Sequence, residues 1–249
     1  MSGPISTRIP SRVEQLLARS YFYGLLAHLF AHPESGKCPP EAGPPLAEKV
    51  ENGKWETLEE VSLKEEFDRV LKQLHQTSRQ EWVDQYERCF GHTAHSKVPP
   101  YELEYGEEHN YRQPQQLADI TAFYYAFGLR LDPQIHERAD HVTVECEFMH
   151  FLTYKEAYAL EHDGNEKALL CQEASRRFLS EHLGKWMPAF SFRLAKYASQ
   201  GVMKSIADAA LQFIIKDCQR LGIETGPTDL PIRVIRDEQE INCGSCSLS

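Results

Sequence analysis

Glu147 and His150 stand three residues apart and His141 and Glu145 four apart, so on one helix each pair would share a face. A carboxylate and an imidazole at this spacing are the ligands that di-iron bundles use, and such a bundle needs a second Glu-x-x-His helix plus two more inward glutamates. No second Glu-x-x-His occurs in the chain. A metal-dependent helical-bundle enzyme built on His141, Glu145, Glu147 and His150 therefore stands as an alternative to the simpler reading, a polar helix face braced by side-chain pairs. His92 and His95, with His109 nearby, are three imidazoles that could hold zinc, but they sit in a loop-like stretch without a fixed ligand spacing. Cys243 and Cys246 make a Cys-x-x-Cys with no partner pair, close to the last residue, where nothing supplies the electropositive setting a working thiol needs. Glycine-rich phosphate loops, nucleophile elbows and kinase signatures are all missing, which ranks a nucleotide-linked role behind the other readings. The residues thus predict a protein that is not an enzyme and carries no metal or cofactor of its own.

The elements that would position these residues are helices. Apolar residues recur at helical spacing, and no alternating strand pattern is found. The first helix is expected over about 10–31, ending before Pro33, and a Pro/Gly-rich connector follows to Pro45. Ser62 with Glu65 and Ser78 with Glu81 read as capping boxes that open helices over about 63–76 and 79–90. Residues 91–100 read as a loop. An aromatic stripe of Leu117, Ile120, Phe123, Tyr124 and Phe127 predicts a helix over about 115–131, stopped by Asp132-Pro133. Asp140 stands at the N-cap position of the next helix, which runs to about Leu160. Three further helices are expected over about 165–183, 186–199 and 202–221, with Gly184, Gly201 and Gly222 as C-terminal glycines. The prediction is an all-α fold: a single globular bundle of about eight to ten helices over 1–222, a hinge near 132–141, and an irregular, partly ordered C-terminal tail over 223–249.

Composition narrows the partners. The 249 residues are 41% hydrophobic, enough for one large helical core. Acidic residues outnumber basic ones, 37 against 27, and no basic run resembles a nucleic-acid tract, so a basic peptide is a better partner than DNA or RNA. Seven scattered cysteines in a chain of this size point to a reducing compartment. Arg8, Arg12 and Arg19 before the apolar run from Tyr21 to Ala31 imitate a signal peptide, but His28 interrupts that run and it falls short of the roughly 20 residues that span a bilayer. It is read as a buried helix of a cytoplasmic protein with no stable membrane insertion.

Five stretches, in order and spacing, resemble the TorD/DmsD/NarJ family of redox-enzyme maturation chaperones. They are Tyr23-Gly-Leu-Leu-Ala-His-Leu-Phe30, Tyr86-Glu-Arg-Cys-Phe90, Pro99-Pro100-Tyr101-Glu102, Asp119 to Leu129 with its aromatic centre, and Glu137-Arg-Ala-Asp140-His141 followed by Glu145-Cys-Glu147-Phe148-Met149. The resemblance spans roughly residues 13 to 215. The chain departs from the family pattern at Cys89, at Leu103 where a serine is expected, and at Ala139 where many members carry proline. Members of this family bind the twin-arginine signal peptide or N-terminal segment of a molybdenum-containing oxidoreductase in the cytoplasm until its cofactor is inserted, and some exchange helices across the hinge to dimerise. The resemblance therefore implies a molybdoenzyme catalytic subunit as partner, with the chain a monomer or a domain-swapped dimer. A receptor for such a segment should set carboxylates beside an aromatic groove. Trp82, Tyr86 and Phe90 could line its apolar part, or pack in the core, while Tyr101, Glu102, Glu137 and Asp140 could meet the basic part, and His141 could order the hinge or titrate near neutral pH.

Overall fold

Burial of apolar helix faces dominates the computed structural model, which describes residues 11–33, 58–91, 97–106, 113–132 and 137–233. Eight α-helices occur among these residues: α1 Arg12–Phe30, α2 Leu58–Gln76, α3 Arg79–Phe90, α4 Gln113–Ala126, α5 Val142–Tyr158, α6 Asn165–Glu181, α7 Leu183–Ala198 and α8 Val202–Arg220. A 3-10 turn, Glu102–Glu104, lies between α3 and α4. The helix α5 passes into one π-helical turn, Ala159–Asp163, that ends on the left-handed Gly164. No helix among the described residues is long and apolar enough to cross a membrane.

Helix α1 packs along α5, α6 packs on the other side of α5, and α7 and α8 lie against each other with α2 and α3 outside them. The large side chains at the centre, among them Tyr23, Phe30, Phe178, Trp186 and Phe190, are almost fully buried and belong to one continuous apolar cluster. The all-helical reading is thus borne out.

Several boundaries move for identifiable reasons. Helix α2 begins at Leu58, so Ser62 lies inside it and opens nothing. Ser78 does cap α3, accepting from the Glu81 N–H, and Ser11 with Glu14 forms a reciprocal capping box at the start of α1. Helix α4 stops at Ala126, because Gly128 turns left-handed and the Leu129 N–H closes back on the Tyr124 carbonyl. Gly184 is the second residue of α7 and no terminator: a Cβ there would sit 2.4 Å from the Leu179 carbonyl oxygen, so close packing of α6 on α7 requires glycine. Gly201 opens α8 instead of closing α7.

Pro188 lies inside α7, where it can give no N–H to the Gly184 carbonyl one turn back. That carbonyl accepts instead from the Gly226 N–H, at 2.9 Å, so the segment after α8 supplies the donor the helix lacks. Residues 223–233 run on without a helix and return to the 3-10 turn, where Gly106 N–H meets the Pro231 carbonyl and Arg233 N–H meets the Glu104 carbonyl. Residues 34–57 and 234–249, which include the Pro/Gly connector, Cys243 and Cys246, lie outside the described residues, as do His92, His95 and His109.

One ion pair crosses the core. Arg19 on α1 donates two hydrogen bonds to Asp217 on α8, at 2.7 and 2.9 Å, and Tyr23 donates a third at 2.7 Å, all of it buried. Asp217→Ala would leave a buried guanidinium without its partner, a loss of about 3–5 kcal/mol, whereas Arg19→Met with Asp217→Leu should recover most of it. Urea unfolding of the three proteins measures both expectations.

Candidate functional site

The Pro-Pro-Tyr-Glu stretch and the Asp-His stretch meet through their backbones. The Val142 N–H donates to the Pro100 carbonyl and the Glu102 N–H to the Asp140 carbonyl, both at 2.9 Å, and Tyr101 and His141 form an isolated antiparallel bridge. The Asp140 side chain completes the joint from inside. It is fully buried, and its carboxylate accepts from the Leu103 N–H at 3.1 Å and from Arg138 at 2.9 and 2.7 Å. Burial pushes the Asp140 carboxyl up from its ordinary value, against the opposing pull of Arg138 and the Leu103 N–H.

Because the Asp140 carboxylate is committed there, it does not cap α5 as expected. His141 does: its Nδ1 accepts from the Thr143 N–H at 3.2 Å, which leaves the proton of a neutral ring on Nε2, 3.9 Å from Glu137. The Tyr101 ring meets the His141 imidazole edge to face and carries the Arg138 guanidinium over its other surroundings, 4.5 Å from the ring centre.

Tyr101, Glu137, Asp140 and His141 are therefore brought together. Trp82, Tyr86 and Phe90 are buried in α3. The Tyr86 hydroxyl donates to the Phe30 carbonyl at 3.1 Å and Phe90 stacks on Phe190, so these rings join α3 to α1 and α7. Tyr86 also lies within electrostatic reach of Glu137 and Tyr101, with Trp82 and Phe90 on either side of it.

Glu102 turns the opposite way, to a groove of about 710 Å³. Phe123, Trp186 and Leu230 give the groove its apolar surface, and Glu102, Asp119 and Glu181 its carboxylates, with Arg177, Lys185 and Arg233 among the other lining residues. Glu102 Oε1 lies 3.2 Å from His182 Nδ1. Behind Glu102 sits Glu145, wholly buried, whose Oε2 accepts from the Trp186 indole N–H at 3.0 Å. The remaining oxygens, Glu102 Oε2 and Glu145 Oε1, are buried with no hydrogen-bond partner, and the Glu102 charge is one of the influences that raise the Glu145 carboxyl. Burial first, and the Glu102 charge second, hold the Glu145 carboxyl well above the usual carboxylate range.

The metal alternative is not supported by this placement. No group of three or more potential ligands forms among the described residues. His150 reaches Ser20 on α1, at 2.9 Å, and of the other pair His141 caps α5 while Glu145 faces Trp186 on α7, so the members of that pair serve different partners. Arg138, His182 and Trp186 went unnoticed in the sequence, where each is one polar or aromatic residue among many. The four described cysteines, Cys89, Cys146, Cys171 and Cys218, are buried and form no disulfide with one another, and burial pushes the Cys89 thiol up to about 11.

The fold is all-helical, and its charged residues brace a groove. The chain belongs to the nitrate reductase delta subunit family, whose model matches residues 55–191, in agreement with the TorD/DmsD/NarJ resemblance. Among curated proteins it is similar to a perchlorate reductase assembly chaperone of Dechloromonas aromatica, 38% identical over 103 residues, covering 41% of this chain and 45% of the relative. It is 28% identical over 120 residues to the chaperone protein TorD of Vibrio cholerae, covering 47% and 52%. A chlorate reductase assembly chaperone of Ideonella dechloratans is 38% identical over 78 residues, covering 31% and 39%. The chain thus spans about half the length, or less, of these relatives, and all three carry the names of chaperones, not of catalysts.

The Glu145 proton gives the site a pH signature. An unfolded glutamate ionises near 4.3. The folded chain retains that proton above this value, so stability is full below it and declines as pH rises toward the elevated folded value. Glu145→Gln can still accept from Trp186 and can donate to Glu102, so its melting temperature should fall less between pH 5 and pH 8 than that of the parent chain. Melting curves across this range, monitored by circular dichroism, provide the comparison.

Proposed function

We propose that the chain is a cytoplasmic assembly chaperone for the catalytic subunit of a molybdenum-containing reductase, binding that subunit's N-terminal, twin-arginine-bearing segment reversibly and catalysing nothing. The relatives' names support the class of client, and the groove beside Glu102 is the observation that carries the binding mode. A guanidinium group needs carboxylates in a partly dehydrated setting, and an apolar stretch needs a surface to cover. Glu102, Asp119 and Glu181 beside Phe123, Trp186 and Leu230 offer both within one cavity.

In this reading Glu102 meets the client's basic residues inside the groove, while Tyr101 and Glu137, which lie on the other side of the Asp140–His141 joint, meet them outside it. Asp140 and His141 act by holding them: the first through the Leu103 N–H and Arg138, the second through its bridge to Tyr101. Tyr86, with Trp82 and Phe90 beside it, supports Tyr101 and Glu137 from within.

Charge-assisted hydrogen bonds contribute about 1.5–3 kcal/mol each. A chain carrying Glu102→Gln and Asp119→Asn should therefore bind a synthetic peptide of paired arginines followed by an apolar stretch roughly tenfold or more weakly in calorimetry. Asp140→Ala with His141→Ala should weaken it as well, through a loosened Tyr101–Glu104 turn. Equal affinity in both variants and the parent would exclude this groove as the binding site.

A further inference from the structure

The groove is not open on every side. Leu230 and Arg233 line it, and they belong to the extended segment that follows α8. That segment is fastened mainly by its backbone. The Gly106 N–H donates to the Pro231 carbonyl at 2.9 Å, the Arg233 N–H donates to the Glu104 carbonyl at 2.8 Å, and Tyr105 and Ile232 pair as an antiparallel bridge. The Arg233 side chain adds a bond from Nε to the Tyr105 carbonyl, at 3.0 Å, and one from Nη1 to the Gln116 side-chain oxygen, at 3.1 Å. Arg193 donates to the Leu230 carbonyl at 2.9 Å.

This is the manner in which a peptide adds to a strand edge: main-chain bonds hold it and alternate side chains are read. Little apolar burial backs those bonds. Leu230, Ile232 and Arg233 are only half-buried and Pro231 is exposed. A segment fixed in this way belongs to the low-stability end of a structure, where local opening costs least.

Its chemistry matters as much as its pairing. Residues 230–236 read Leu-Pro-Ile-Arg-Val-Ile-Arg, oily positions interspersed with arginines, in a chain of formal net charge -10. Arg233 brings a guanidinium into a groove that also presents Glu102, Asp119 and Glu181. The other cations there, Arg177 and Lys185, sit on α6 and α7, so removing the segment would leave three carboxylates facing two cations.

We infer that the Glu104–Gly106 backbone edge is a docking edge for an extended, arginine-bearing segment of a partner protein, and that residues 230–233 occupy it as an internal stand-in which the partner displaces. The identity of that partner rests on the function proposed above; the edge and its internal occupant do not. A tethered occupant competes at the effective concentration its linker sets, on the order of millimolar, so it weakens a ligand for the same edge by a constant factor without abolishing binding.

The full-length chain carrying Leu230→Ala and Arg233→Ala tests this. Deuterium exchange at the amides of Gly106 and of position 233 should quicken while the core amides of α5 and α8 stay protected. Should these two amides remain slow, Gly226→Ala is added, since a Cβ there would meet the Lys185 carbonyl oxygen at 1.9 Å and prise the segment off upstream. The released chain is then titrated with a synthetic peptide of this protein's residues 227–236, and separately with the paired-arginine peptide. About tenfold tighter binding of the 227–236 peptide than to the parent chain is expected, with a similar gain for the paired-arginine peptide. Quickened exchange without tighter binding of either peptide overturns the inference. Tighter binding of the 227–236 peptide alone upholds the edge and removes the twin-arginine client from it. Equal binding of both peptides to released and parent chains, with the paired-arginine peptide bound by each, keeps the proposed function and overturns the displacement.

Discussion

Asp140 is a carboxylate with no exposed surface, and a buried carboxylate must be met by donors or else take up a proton. Here the donors are the Leu103 N–H and the Arg138 guanidinium, one from the turn before α4 and one from the stretch before α5. The demand of a single side chain therefore joins two segments 37 residues apart. Once they are joined, Tyr101 must lie against His141, Glu102 must point away from both, and the 3-10 turn Glu102–Glu104 is left with a free backbone edge at its far end. The segment after α8 then finds that edge. The pairing, the groove wall and the placement of the acid pair follow from this joint in sequence.

The helices were legible because burial of one face imposes a period that composition cannot hide. The α4 stripe shows the limit. Leu117, Ile120, Phe123, Tyr124 and Phe127 all contact the core, but the period says nothing of where hydrogen bonding stops, and Gly128 ends the helix before the Asp-Pro pair can. The same holds at Ser62 and Gly184. Each has the right residue type for a cap, and each lies inside a helix because tertiary packing, not local preference, decides which turns continue.

The site was legible as a motif and hardly at all as a geometry. Asp140 and His141 are adjacent in sequence and equally polar, yet one braces a turn while the other caps a helix. An N-cap position accepts either side chain, and only the demand of the Leu103 N–H and Arg138 assigns them. Glu145 was visible only as one member of a helical pair with His141. Its true partners, Trp186 and Glu102, come from elements 41 and 43 residues away, at separations no local pattern encodes.

The raised Glu145 carboxyl also explains how an acidic groove can adjoin a dry core. An ionised Glu145, wholly buried and subject to the Glu102 charge, would face a desolvation cost that the single Trp186 donor cannot offset. Glu102, by contrast, turns its Oε1 to His182 and lines the cavity. Burial thus favours the protonated form of the inner carboxyl, while the outer one stands in the groove wall. Replacing Glu145 by an apolar residue would leave the Trp186 N–H without its acceptor. The setting of Trp186 in the groove wall therefore depends on a residue outside that wall.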